Sequence, residues 1–174
     1  AVECFFRAGN DEKLFSCELT GLLNEKFGDT SYTALAQTVL KRCPAGLLAA
    51  WPLSMLRLCV TLFAGTDFDG FAAELERAHD IIAENGDPQL MGEWHIVAAF
   101  REFPNIAGMK AHYLAAESLM TEPSRIFTPR EPYMFGTPSM WYLFYRKPGW
   151  MMETAEELRD MLEVYNRLTN HHGA

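Results

Sequence analysis

Arginines interleaved with aromatic rings mark the stretch of this chain with most capacity for chemistry. Residues 121–149 carry Arg125, Arg130, Arg146 and Lys147 against Glu122 and Glu131, a local +2 in a chain whose formal net charge is −8. Tyr133, Phe135, Trp141, Tyr142, Phe144 and Tyr145 lie among them. A guanidinium beside Tyr or Trp can hydrogen-bond an anion and stack on the ring at once. Arg125, Arg130, Tyr133 and Trp141 are therefore the candidate contacts for an effector or for a partner's acidic face. The competing reading is that Phe127, Tyr133, Phe135 and Trp141 plug the end of a helix layer while the arginines stay in water.

Other reactive residue types are present without a pattern that makes them work together. The histidines are His79, His95, His112, His171 and His172, and none belongs to an H-E-x-x-H metal motif. His112 joins the candidate contacts because it lies beside Tyr113 on a helix and can face a groove. Cys4, Cys17, Cys43 and Cys59 form no C-x-x-C pair, so reduced and mostly buried thiols are expected rather than a disulfide or metal framework. Glu74/Glu76 and Glu153/Glu156/Glu157 read as solvated helix faces. Phosphate-cradling and nucleophile-elbow motifs are absent. No catalytic residue, metal ligand or cofactor is expected, and the expectation is a protein that is not an enzyme.

At 174 residues and 49% hydrophobic, the chain can bury a sizeable core, and one domain spanning residues 1–174 is expected. The acidic balance argues against direct nucleic-acid binding, which needs basic surface. No long uncharged apolar run suggests a membrane span or a signal peptide, so a cytoplasmic location is expected. The opening Ala1-Val2-Glu3-Cys4-Phe5 has no initiator methionine and is helical in character, which suggests a piece of something longer.

The elements that must position these residues read as helices throughout. Ala1–Ala8, then Glu12–Phe27 with Leu14, Cys17, Leu22 and Leu23 inward, then Tyr32–Arg42 capped by Thr30 or Ser31 begin the series. Cys43-Pro44 stops it, and Pro52 opens a helix with Leu53, Leu56, Val60 and Phe63 in one stripe. Asp67 or Asp69 caps a helix bearing Phe71, Leu75, Ala78 and Ile82. Asp87-Pro88 starts the next, with Trp94, Val97, Ala98 and Phe100, and Asn105 caps another with Met109, Tyr113, Ala116 and Met120. A Pro- and aromatic-rich loop spans residues 121–138, and Thr137-Pro138 starts a short helix through Tyr145. Thr154 with Glu157 forms a capping box for a last helix carrying Leu158, Leu162, Tyr165 and Leu168, with a polar end from Thr169 that frays unless more protein follows. No stretch alternates convincingly, so the fold class is all-α.

The central segment around residues 68–120 also shows a weak internal register of 38 residues: Leu62, just before it, falls on Phe100, Leu75 on Tyr113 and Ala78 on Ala116. The spacing resembles a tetratricopeptide repeat, with Leu75, Ala78, Phe100, Tyr113 and Ala116 in its packing positions, although that repeat is 34 residues long and its glycines are missing here. Antiparallel helix pairs stacked as a superhelical array are the expected architecture, with a plain bundle as the alternative.

Three phrases carry a wider resemblance. They are Pro123-Ser124-Arg125-Ile126-Phe127, Phe135-Gly136-Thr137-Pro138-Ser139, and Tyr142-Leu143-Phe144-Tyr145-Arg146-Lys147-Pro148-Gly149. With Gly86-Asp87-Pro88-Gln89-Leu90-Met91-Gly92-Glu93 and Tyr165-Asn166-Arg167-Leu168-Thr169-Asn170-His171-His172-Gly173, they resemble the helical-repeat region of large ATP-dependent LuxR-type transcriptional regulators of the maltose-regulator kind. The opening Ala1–Glu12 is similar to the stretch that joins those repeats to a winged-helix segment. The resemblance implies a sensor region that receives a small-molecule inducer or a regulatory protein and is coupled to self-association. ATP and DNA would be bound only by other domains of the parent. The alternative is a structural or oligomerisation spacer with no ligand site, and no family ligand residue transfers to a position here.

Overall fold

The computed structural model describes residues 1–17, 19, 26–27, 30–129 and 141–172. In order, the elements are α1 (Val2–Arg7), α2 (Asp11–Phe15), β1 (Lys26–Phe27), β2 (Thr30–Ser31), α3 (Tyr32–Arg42), α4 (Ala45–Ala50), α5 (Pro52–Ala64), α6 (Phe68–Asn85), α7 (Pro88–Ala98), a 3-10 turn (Ala99–Glu102), α8 (Ile106–Leu119), α9 (Trp141–Phe144) and α10 (Met151–Leu168). The fold is all-α: helices packed on helices make the body. Strand pairing among the described residues is confined to two residues a side, Lys26 opposite Ser31 and Phe27 opposite Thr30.

Local chemistry sets the boundaries. Asn10, Ser31, Asp67, Asp87 and Asn105 each accept a hydrogen bond from an amide in the first turn of the helix that follows. These side chains satisfy donors that the helix itself leaves without partners. Pro52 and Pro88 occupy first-turn positions, where a missing amide proton costs nothing. Gly86 ends α6 at φ 74°, a left-handed conformation that a side chain would strain.

Packing follows the stripes. Phe71, Leu75, Ala78 and Ile82 of α6, and Met109, Tyr113 and Ala116 of α8, are buried. Each large apolar side chain removed from water contributes roughly 1.5–3 kcal/mol. Leu56 and Val60 of α5 are buried, while Leu53 and Phe63 are half-buried against the same core. Helix α5 packs on α3, α6 and α7, α7 on α8, and α8 on α10. Among the described residues Phe63 stacks on Phe100 at 5.2 Å and meets Phe68, Phe71 and Phe103 edge-on. Arg77 of α6 donates to the carbonyls of Leu40 and Cys43 and so closes the open end of α3.

Three expectations are corrected. The helix expected over Glu12–Phe27 stops at Phe15, and Lys26–Phe27 pairs as a strand; the sequence Gly28-Asp29 between the paired positions is of the type that favours a hairpin connection. Leu22 and Leu23 lie outside the described residues. Helix α10 begins at Met151, so Thr154 stands inside its first turn and its amide donates to the Trp150 carbonyl, leaving no Thr-x-x-Glu cap. Gly149, at φ 85°, turns the chain early enough for this earlier start. The end after Leu168 does not fray as expected up to His172: Thr169 and His172 are buried, and the Tyr165 hydroxyl meets His172 Nδ1 at 2.7 Å.

Candidate functional site

Two charges are conspicuous by their setting. Arg57 is the one formally charged residue of α5, and Glu93 is the one formally charged residue of α7 apart from histidine. Both helices are otherwise buried extensively, so each charge needs a reason to be there.

Glu93 is fully buried and holds the backbone of the loop that follows α8. Its carboxylate accepts from Ser124 Oγ at 2.6 Å and from the Arg125 amide at 2.6 Å, and Arg125 Nε stands 4.0 Å away. Ser124 Oγ in turn accepts from the amides of Ile126 and Phe127. One turn earlier, Gln89 Oε1 accepts from the Thr121 and Glu122 amides, and Gln89 Nε2 donates to the Glu122 carbonyl. Positions 89 and 93 share a helix face, so two side chains clasp the loop through its main chain. Ile126 and Phe127 are then buried, with Phe127 edge-on to Phe100 at 5.5 Å. The Ser124 amide donates to the Leu168 carbonyl at 2.7 Å, which ties the same loop to the end of α10. Burial holds the Glu93 carboxyl above the ordinary range of a glutamate, and the bonds from Arg125 and Ser124 pull it partly back.

Arg125, in the loop this clasp holds, lines an open groove of about 450 Å³. The end of α2, with Phe15 and Cys17, lines it as well. Trp51, Pro52, Leu53 and Arg57 contribute from the start of α5, and Asn85, Asp87 and Leu90 from the α6–α7 junction. Ser54 pins the α2 wall by donating to the Phe15 carbonyl at 2.8 Å. Arg57 Nη2 donates to the Arg125 carbonyl, while Arg57 Nε is buried with no hydrogen-bond acceptor. Among the described residues Arg57 has no carboxylate partner, and the Arg125 side chain is 50% exposed at the groove edge.

A second cluster lies where α6, α7 and α8 meet. His95 Nδ1 and His112 Nδ1 are 2.9 Å apart, so one nitrogen donates and the other accepts. Trp94 packs edge-on to His79, His95 and His112 and donates its indole N–H to the Leu75 carbonyl. Burial, above all, pushes both His95 and His112 below the ordinary histidine range. Among the described residues no group of three His, Cys, Asp or Glu converges to hold a metal, and no helix is long and apolar enough to cross a membrane.

The candidates named from the sequence are thus divided. Arg125 lines the groove and His112 belongs to the histidine pair. Arg130 and Tyr133 lie outside the described residues, as does the side chain of Trp141. Leu75, Ala78, Phe100, Tyr113 and Ala116 are core residues, all buried. Arg57, Gln89, Glu93 and His95 escaped a reading that looked for motifs. A lone charge inside an apolar helix was the available signal for Arg57 and Glu93. Two of the phrases quoted for the family resemblance, Gly86–Glu93 and Pro123–Phe127, meet here through Gln89 and Glu93. Compared with protein-family models, curated proteins and solved structures, the chain matches none.

Proposed function

We propose that the chain is a non-catalytic sensor region that takes a small-molecule effector in the groove and passes its occupancy to neighbouring parts of a larger protein. The observation that carries this reading is the make-up of the groove walls. Four separate segments meet there: the end of α2, the start of α5, the α6–α7 junction and the clasped loop. An occupant would contact all four at once and so favour one arrangement of them, which is the physical content of an effector response. The volume falls in the range of small-molecule sites.

The parent that fits is a LuxR-type, ATP-dependent transcriptional regulator of the maltose-regulator kind, acting in the cytoplasm, with ATP and DNA bound by its other domains. In this reading α5–α6 and α7–α8 are tetratricopeptide-like pairs in a stacked array, and a regulatory protein can take the place of the small effector. The test is an effector screen scored by assembly and transcriptional output of the parent regulator, with and without Arg125→Gln. Ligand-independent output that ignores groove substitutions defeats the sensing role.

One observation favours a second reading, an oligomerisation spacer. Trp150, Met151 and Met152 expose apolar surface together at the start of α10. Sedimentation over a range of concentrations, with Met151→Lys and Met152→Lys, decides it: self-association abolished by those changes supports the spacer, and a monomer at all concentrations removes it.

A further inference from the structure

The groove's chemistry is asymmetric. Among the described residues that line the groove, the cations are Arg57 and Arg125, and the one carboxylate, Asp87, accepts from the Gln89 amide as the cap of α7. The chain as a whole carries 23 acidic residues against 15 Lys and Arg, so carboxylates are plentiful. Even so, Arg57 is left without a carboxylate among the described residues, and its Nε is a buried donor with no acceptor. A buried donor without a partner is costly, so an acceptor brought to it by a small shift of the Arg57 side chain would be favoured. The link from Arg57 to the Arg125 carbonyl brings both residues to the same edge of the groove. Trp51, Leu53 and Leu90 supply apolar surface beside them.

We infer that the groove takes a small organic anion, its carboxylate or phosphate held at Arg57 and Arg125 and its apolar body laid on Trp51, Leu53 and Leu90. This rests on the reading of the groove as an effector site and adds the ligand's charge class to it. Guanidinium groups recognise both anion types through paired N–H donors, and a partly water-excluded setting strengthens the contact. A volume near 450 Å³ suits one compact molecule and not a folded partner.

The experiment is a titration followed by the Arg57 Nε–H resonance and by the alkylation rate of Cys17, which lines the groove. The probes are benzoate, phenyl phosphate and, as an uncharged control of similar shape, benzyl alcohol. Benzoate or phenyl phosphate should shift the Arg57 resonance saturably and slow Cys17 alkylation, and the tighter of the two identifies the anion. Benzyl alcohol should bind at least about tenfold more weakly, and Arg125→Gln should weaken anion binding about tenfold while keeping the amide that Glu93 holds. Arg57→Gln should abolish the anion preference; should that variant fail to fold, the native resonance and Arg125→Gln still decide. Equal binding of all three probes overturns the anion assignment and leaves the groove as an apolar site. No shift and no protection with any probe overturns both the anion assignment and the groove as the effector site.

Discussion

Glu93 is a carboxylate that exchanged water for two hydrogen bonds from one turn of chain. Replacing it by alanine removes both acceptors and leaves the Ser124 hydroxyl and the Arg125 amide unanswered, a loss of about 2–4 kcal/mol in chemical denaturation. Glu93→Gln keeps an acceptor and removes the buried charge, so it should stay within about 1 kcal/mol of the parent at neutral pH. Because burial raises the folded carboxyl above its unfolded value near 4.5, ionisation weakens the fold. Its stabilising contribution is complete below pH 4.5 and is lost as pH rises through the folded value. Glu93→Gln should therefore lose stability relative to the parent as the medium is acidified. The histidine pair titrates with the opposite sign. His95 faces His112 and His79, and His112 faces Glu102 and Arg101; both imidazoles lie below 6.5 in the folded state. Unfolding then takes up protons between those lowered values and 6.5, so stability falls as pH drops through that window. The slope reaches at most about 1.4 kcal/mol per pH unit for each imidazole. Denaturation curves from about pH 8 to about pH 5 should show it, and the double change His95→Gln with His112→Gln should flatten it.

Between elements, α7 comes close to the end of α8 at Gly92. A Cβ added at Gly92 would lie 2.2 Å from Met120 Cγ and 3.5 Å from the Ala116 carbonyl oxygen. Gly92→Ala gains about 1 kcal/mol of helix propensity but must displace Met120, and a net loss of about 1–2 kcal/mol is expected. In the Met120→Ala background the same change should become neutral or stabilising, which a double-mutant cycle in urea measures. At this scale the sequence was largely readable. The caps at Ser31, Asp67, Asp87 and Asn105 and the prolines at 52 and 88 act through neighbours a few residues away, so their effect is written locally. Helix α2 and the start of α10 were misjudged because local propensity permitted a longer helix in the first case and a later start in the second. The site was far less visible. Arg125 could be named because a basic residue among aromatics stands out, whereas Arg57, Gln89 and Glu93 matter only through residues 31 to 68 positions away. No periodicity encodes such pairings.

Across the whole molecule, the cysteines report on how far the core is closed. Cys4 is exposed, Cys17 is half-buried, and Cys43 and Cys59 are buried. Burial pushes the Cys43 thiol up to about 12 and raises Cys59 further, so neither supplies much thiolate at neutral pH. Under native conditions a thiol reagent should modify Cys4 quickly and Cys17 more slowly. Cys43 and Cys59 should react only at the rate of opening, and all four promptly in denaturant; mass mapping of the adducts checks this order. Rapid native labelling of Cys59 would contradict the packing of α5 between α3, α6 and α7.

Ser124 gives this body a load path. Its amide grips Leu168 at the last turn of α10, its hydroxyl grips Glu93, and the next residue forms the lip of the groove. Tension applied to the chain beyond α10 would reach α7 through that residue, alongside the path into α8 that the packing of α8 on α10 provides. Both bonds meet at Ser124, one residue from Arg125, so the loop works as a tie rod that joins the lip of the groove to the end of α10 at one point.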